Sequence, residues 1–186
     1  MDTTLNIRRA QRHDSAQLTA LQHASMRELG QCCYDEAVIE AFLAHVGTMD
    51  TTLIDDGTLF TARIGTILVG CGGWSTRTPG YAAHMGIEPA ASAEPHVTIR
   101  SIYVHPLWAR RGIARRMMAA VEADIVAAGY DTAALTATLT GIPFYRQLGY
   151  HGQEPAIIRL PGDHVLVGLC MEKRLAMPRS VLPLAA

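Results

Sequence analysis

The stretch from Val97 to Ala137 constrains the fold more than any other part of the chain. Val97-Thr98-Ile99-Arg100-Ser101-Ile102-Tyr103-Val104 reads as a strand, and His105-Pro106 stops it. From about Arg111 to Ala128 the pattern turns helical: Ile113, Met117, Val121 and Ile125 share one stripe, and Gly129 supplies the C-terminal stop. Thr132 to Ala137 reads as a second strand. A strand, a one-sided helix and another strand form a crossover unit, so the chain must build a sheet with a helix laid on its face.

Weaker patterns fill in the rest. Leu5 to Arg9 predicts a first strand, and Asp14 is a good N-cap for a helix carrying Ala16, Leu18, Leu21 and Ala24. A second helix is expected over Asp35 to Val46, capped by Asp35, with Val38, Ile39, Phe42 and Val46 at helical spacing. Thr58–Ile64 and Ile67–Cys71 flank Gly65-Thr66 as a hairpin. Pro143 to Leu148 reads as a short helix, and strands near Ala156–Leu160 and Val165–Glu172 complete the order β-αα-βββ-α-β-α-ββ. This is an α/β chain of the α+β type, with a mixed, mostly antiparallel sheet of about seven strands flanked by helices. Residues 1–175 are expected to form one domain, and 176–186, with Pro178 and Pro183, a loose tail. Ser75 to Pro95 is a long connection of small and turn-forming residues, a length that is usually functional or mobile.

Composition removes several function classes. Of 186 residues 49% are hydrophobic and only 18% charged, which excludes disorder. The net charge of −1 gives no basic field, so nucleic acid is not an expected partner. No apolar run reaches the roughly 18 residues a membrane span needs, and Met1 to Asn6 lacks the basic and apolar regions of a secretory signal. A cytoplasmic protein with reduced thiols at Cys32, Cys33, Cys71 and Cys170 is the expectation. Lys173 is the only lysine, so no P-loop exists. The histidines form no HxxxH or HExxH pattern, and no metal site is expected. Gly70-Cys71-Gly72-Gly73 fails as a dinucleotide fingerprint, because the motif needs glycine at Ser75 and a helix after it.

The positive signal lies just after Pro106. Arg110, Arg111, Arg115 and Arg116 crowd the first turn of the predicted helix, where the helix dipole already concentrates positive charge. A solvated basic helix start is one reading. A bound phosphate or pyrophosphate is the other: it would reverse the sign of that repulsion, with free amides gripping the anion and Gly112 allowing close approach.

Tyr103-Val104-His105-Pro106 followed by Ala109-Arg110-Arg111-Gly112-Ile113-Ala114 resembles the acetyl-CoA-binding segment of the GNAT superfamily of N-acetyltransferases. The family pattern is Arg or Gln, two residues, Gly, one residue, Gly or Ala; Ala109 departs at its first position. About thirty residues on, Pro143-Phe144-Tyr145-Arg146-Gln147-Leu148-Gly149-Tyr150 resembles the family's Phe-Tyr-x-x-Leu-Gly-Phe segment, and the matching topology covers residues 5–174. The resemblance implies acetyl-CoA as cosubstrate. Backbone amides of Arg110, Arg111, Gly112, Ile113, Ala114 and Arg115 would cradle its pyrophosphate. Ile102, Tyr103 and Val104 would pair with the pantetheine arm as an added strand. Splaying near Thr138-Leu139-Thr140 would open the gap for that arm, with Thr140 standing where the family often has asparagine. Tyr145 matches the tyrosine commonly found near the thioester sulfur.

The implied reaction is direct attack of a primary amine, on a small molecule or peptide, at the thioester. Tyr145 would protonate the leaving thiolate, and a backbone N–H at Ile102 or Tyr103 would stabilise the oxyanion. Related enzymes often carry a basic glutamate where this chain has Thr98, so Glu94 and His96 become the candidate bases, directly or through water. A core role for Tyr145 and a surface role for Glu94 and His96 are the competing readings. Trp74, Tyr81, His84 and Glu88, with Arg27, Glu28 and Tyr34, are candidates to line the acceptor side. The alternative function is a non-catalytic acyl-CoA-binding regulatory module, which the threonine at position 98 keeps open. Transfer to oxygen, or of a longer acyl chain, suits the same fold. Members of the superfamily are often dimers, so a homodimer is compatible with the resemblance.

Overall fold

A computed structural model describes residues 4–47, 49–78 and 97–176. The chain runs β1 (Leu5–Arg9), a 3-10 turn (Arg12–Asp14), α1 (Ser15–Gly30), α2 (Glu36–His45), α3 (Thr51–Asp55), β2 (Leu59–Ile64) and β3 (Ile67–Ser75). It continues with β4 (Thr98–Val104), a 3-10 turn (Pro106–Trp108), α4 (Ile113–Ala127), β5 (Thr132–Thr138), α5 (Ile142–Gln147), β6 (His151–Leu160) and β7 (His164–Arg174). The seven strands form one sheet in the order β1-β2-β3-β4-β5-β7-β6. Every neighbouring pair is antiparallel except β4 and β5, the two strands joined by α4.

The stripe that defines α4 is what fixes it to the sheet. Ile113, Met117, Val121 and Ile125 are buried against Val69, Ile99, Ala133 and Leu135. Close approach depends on Gly70 and Gly72 of β3: a Cβ on Gly72 would overlap Ile102 Cδ1 and lie 2.8 Å from Met117 Cγ. Gly70 and Gly72 therefore serve helix–sheet packing. On the opposite face Leu18 and Leu21 of α1 and Leu53 and Ile54 of α3 cover Leu59, Leu68 and Cys71. α2 places Ile39, Phe42 and Leu43 against Ile158, Leu160 and Leu166 of the β6–β7 hairpin.

Three local expectations change. The five-residue α3 is too short for a periodic signal to announce it; Asp50 starts it by accepting a hydrogen bond from the Thr52 amide at 3.1 Å. Asp35 occupies the position before α2, but its side chain makes no capping hydrogen bond. Asp14 does not cap α1 either. Its carboxylate, 1% exposed, takes a paired hydrogen bond from Arg8 of β1 at 2.9 Å and another from Arg63 of β2 at 2.9 Å. It also accepts the Gln11 amide at 2.9 Å. The predicted tail beyond residue 176 lies outside the described residues.

Burial alone would raise the pKa of Asp14, but the hydrogen bonds from Arg8, Gln11 and Arg63 outweigh it and bring the group from 3.8 down to about 2. A carboxylate held this far down contributes about 2 kcal/mol of stability near neutral pH. Since the folded-state value lies below the unfolded one, that contribution is complete above about pH 4 and disappears as the pH falls towards 2. Replacing Asp14→Asn should cost about 2–4 kcal/mol in urea denaturation at pH 7. The gap between variant and wild type should close in the same titration carried to low pH; a constant gap would show that the ion pairs are not its source.

Candidate functional site

The site begins with a fault in β4. Cys71 pairs with Tyr103 and Gly73 with Arg100, so Ser101 and Ile102 together oppose the single residue Gly72. This is a β-bulge, and Ser101 takes a φ of 59° to make it. Cys71 braces it: its thiol donates to the Ser101 carbonyl at 3.2 Å and accepts from Gln22 Nε2 of α1 at 3.6 Å. Burial pushes this thiol up to about 12, against the opposing hydrogen bonds from Gln22 and the Tyr103 backbone, so it stays protonated and able to donate.

Beyond the bulge the sheet opens. β4 and β5 pair only at Thr98 with Ala134 and at Ile99 with Leu135, although β4 runs on to Val104 and β5 to Thr138. A wedge thus separates two strands in the middle of the sheet. The end of β5 is tied to the far side of it: the Tyr34 hydroxyl accepts from the Leu139 amide and donates to the Val167 carbonyl of β7, both at 2.7 Å. Burial, foremost, raises the Tyr34 pKa, as suits a phenol that serves as a fixed hydrogen-bonding post.

At the wide end of the wedge stands the start of α4. Arg110 has φ 64° and Gly112, the residue before the helix, φ 78°, so the backbone between Ala109 and Ile113 turns sharply. The first intrahelical bond runs from the Arg116 amide to the Gly112 carbonyl at 3.1 Å, leaving the amides of Ile113, Ala114 and Arg115 pointing out of the helix end. No acidic residue sits in that first turn. Arg110, Arg111 and Arg115 are exposed, and Arg111 stacks on Trp108 at 4.8 Å. Arg116 turns away to the Leu5 carbonyl at 3.4 Å.

A cavity of about 550 Å³ fills the wedge and reaches under α1, α2 and α3. Ile102, Tyr103, Val104, Ala114, Thr138, Thr140 and Tyr145 line it. Arg110, Arg111, Gly112 and Arg115 lie outside its wall, and the Ile113 side chain is in the core facing Gly70, so only its backbone is available there. Thr138 and Thr140 share a hydroxyl hydrogen bond of 3.0 Å. Tyr145 stands between Phe144, at 5.2 Å, and Tyr150, at 6.0 Å, and its ring comes so close to Gly141 that a Cβ there would be 2.9 Å away. Tyr150 is itself fixed by donating to Glu122 at 3.0 Å, and Lys173 reaches the same carboxylate at 2.8 Å.

The acceptor-side candidates fare differently. Tyr81, His84 and Glu88 lie outside the described residues, as do the candidate bases Glu94 and His96. Trp74 packs on the α4 side of the sheet and donates to Asp124 at 2.8 Å, which removes it from the cavity. Arg27 pairs with Glu40 at the surface, Glu28 is exposed, and Tyr34 is spent on Leu139 and Val167. Sequence reasoning missed Arg100 and Asp50, which line the cavity as an ion pair of 2.8 Å, with Arg100 6% exposed. The available signal was a single arginine inside an otherwise apolar-patterned strand. Among the described residues no group of three metal-binding side chains occurs, and no helix is long and apolar enough to cross a membrane.

A sheet split by a bulge, with a helix N-terminus at the mouth of the split, can hold an extended arm that ends in anionic groups. Comparison with known proteins agrees with that geometry. Residues 18–150 match the model of the acetyltransferase (GNAT) family. No curated protein sequence matches the chain significantly. Among solved structures, a GCN5-related N-acetyltransferase from Rhodopseudomonas palustris is 21% identical with a TM-score of 0.72, covering 94% of this chain and 98% of its own. The PaiA N-acetyltransferase from Thermoplasma acidophilum, solved with coenzyme A, is 15% identical with a TM-score of 0.66 over 92% of this chain and 99% of its own. A GNAT-family acetyltransferase from Brucella melitensis, solved with acetyl-CoA, is 16% identical with a TM-score of 0.56 over 95% and 92%. The chain belongs to the GNAT acetyltransferase family, and its class of activity is acetyl transfer from acetyl-CoA.

The brace on the bulge is open to test. Cys71→Val keeps the volume close but leaves the Gln22 amide and the Ser101 carbonyl without their sulfur partner, which should cost about 1–3 kcal/mol. Hydrogen exchange should accelerate at residues 101–103 more than elsewhere in the sheet; uniform acceleration would mean that the thiol contributes only packing.

Proposed function

We propose that the chain moves the acetyl group of acetyl-CoA to a primary amine of a small molecule or peptide by direct attack. The observation that carries this reading is the separation of β4 from β5 beyond Ile99, which ends beside the turn at Arg110 to Gly112. An unpaired strand edge presents amides and carbonyls at strand spacing, and a pantetheine arm with its two amides can take the place of the missing neighbour. Acetyl-CoA supplies an activated thioester; everything else is asked of the chain's own groups.

In this reading Ile102, Tyr103 and Val104 hold the arm through their backbone, and Thr138 and Thr140 bound it from the β5 side. The amides of Gly112, Ile113, Ala114 and Arg115 bind the pyrophosphate, with Arg110, Arg111 and Arg115 adding charge around it. The Tyr103 amide already faces the Cys71 sulfur, which favours Ile102 as the donor to the carbonyl oxygen as negative charge develops; one such donor is worth about 3 kcal/mol. Tyr145, held between Phe144 and Tyr150 in the cavity wall, is assigned to protonate the departing sulfur. Thr98 has no basic function to offer, so removal of the ammonium proton rests with Glu94, His96 or water. The cysteines are unpaired, with Cys32 and Cys33 exposed, which supports a cytoplasmic setting.

Charge reversal at the helix start, Arg111→Glu with Arg115→Glu, should weaken acetyl-CoA binding by at least about 100-fold in calorimetry, equivalent to two bound-anion contacts turned repulsive. Tyr145→Phe should lower kcat by about 10- to 1,000-fold with the acetyl-CoA Kd within a few fold. Unchanged affinity in the first case removes the pyrophosphate assignment; unchanged turnover in the second makes Tyr145 structural. Acceptor-dependent thiol release, the assay for the second, also separates an enzyme from a module that only binds acyl-CoA.

A further inference from the structure

The inner end of the cavity, away from the helix start, carries a buried charge that acetyl-CoA does not account for. Arg100 leaves β4 one residue before the bulge, with its side chain 6% exposed and in the cavity wall. A guanidinium has five N–H donors in a planar fork. Here Nη1 binds Asp50 Oδ2 at 2.8 Å and Nη2 donates to the Arg77 carbonyl at 3.0 Å. The Arg100 Nε–H is buried with no partner among the described residues. Asp50 cannot make up the difference, since its other oxygen is taken by the Thr52 amide and hydroxyl. A buried guanidinium N–H without an acceptor among the described residues is costly to leave so, and a ligand carboxylate is the group that matches a guanidinium fork. Met26, Phe42 and Met49 add apolar surface to the same cavity.

We propose that the acceptor is a primary amine that carries its own carboxylate next to an apolar body, a free apolar α-amino acid in its simplest form, with Arg100 as the carboxylate anchor. This rests on the acetyl-transfer reading above and narrows it. Arg100 neighbours Ser101 and Ile102, so a carboxylate held by its side chain keeps an adjacent amine close to the strand segment assigned to the thioester. Asp50 is a positioning residue that fixes the guanidinium plane. A peptide N-terminus or a polyamine offers no carboxylate beside its amine and leaves Arg100 unsatisfied.

The test is thiol release by the full chain with acetyl-CoA and either L-leucine, L-methionine or L-phenylalanine, their α-amides, or spermidine. The amides have less basic amines, so a larger share is neutral near pH 8 and a site indifferent to the carboxylate favours them. The proposal expects kcat/KM for the acids to exceed that for the amides by at least about ten-fold, as for a site built to hydrogen-bond a group the analogue lacks. In Arg100→Gln the ratio should fall below about two-fold, while acetyl-CoA affinity stays within about three-fold of wild type. Amides or spermidine used as well as the acids, or no release with any of the acids, overturns the acceptor assignment; so does an unchanged ratio in Arg100→Gln. Should that variant fail to fold, the wild-type comparison decides alone. Calorimetry on the same wild-type sample keeps the two readings apart: absence of acetyl-CoA binding sinks the acetyl-transfer reading itself, whereas binding without acid preference sinks only the acceptor.

Discussion

The bulge at Ser101 is the constraint on which the rest of the site depends. One extra residue in β4 against Gly72 turns the strand away from β5 after two paired positions, and that departure makes the cavity. A non-glycine residue at φ 59° costs about 1–3 kcal/mol unless its surroundings hold it. They do so from both faces of the sheet. On one side the Gln22–Cys71–Ser101 relay grips the carbonyl, and on the other Ile102 packs over Gly72 against Met117.

Seen from this point, several unrelated features serve one end. The glycines of β3 let α4 lie close to the sheet, which fixes where its N-terminus emerges beside the wedge. Asp14 fastens β1, β2 and the beginning of α1, and α1 in turn carries Gln22 to the brace and Met26 to the cavity. Tyr34 keeps the end of β5 attached to β7, so the opening is confined to the β4 side. The strain is local, and the packing that holds it is spread over both layers.

Much of this order was legible in the chain because its signals are local. The switch from strand to helical periodicity between Val97 and Ala128, the stop at Pro106 and the arginines after it are read within a few residues of each other. Helix α4 starts at Ile113, two residues inside the expected Arg111, because Gly112 takes a left-handed conformation. The features that were not legible depend on residues brought together by the sheet. Asp14 has the composition of a cap, and only the pairing of β1 with β2 sets Arg8 and Arg63 on either side of it. Nothing in Ile-Arg-Ser-Ile marks serine as the bulged residue, and nothing in Arg100 or Asp50 alone names the other as partner. The run Gly72-Gly73 hid the extension of β3 to Ser75, since glycine carries no strand signal.

Hydrogen exchange of the chain with and without acetyl-CoA tests the central claim most directly, because it reads the backbone of β4 where it has parted from β5. Addition of acetyl-CoA should protect residues 102–104 of β4 and 112–115 at the start of α4 together, with β1, β6 and β7 unaffected. Binding that protects neither segment, or that protects the arginine turn while β4 exchanges as before, would contradict the account: the split sheet would then be a feature of the fold and not the seat of the donor.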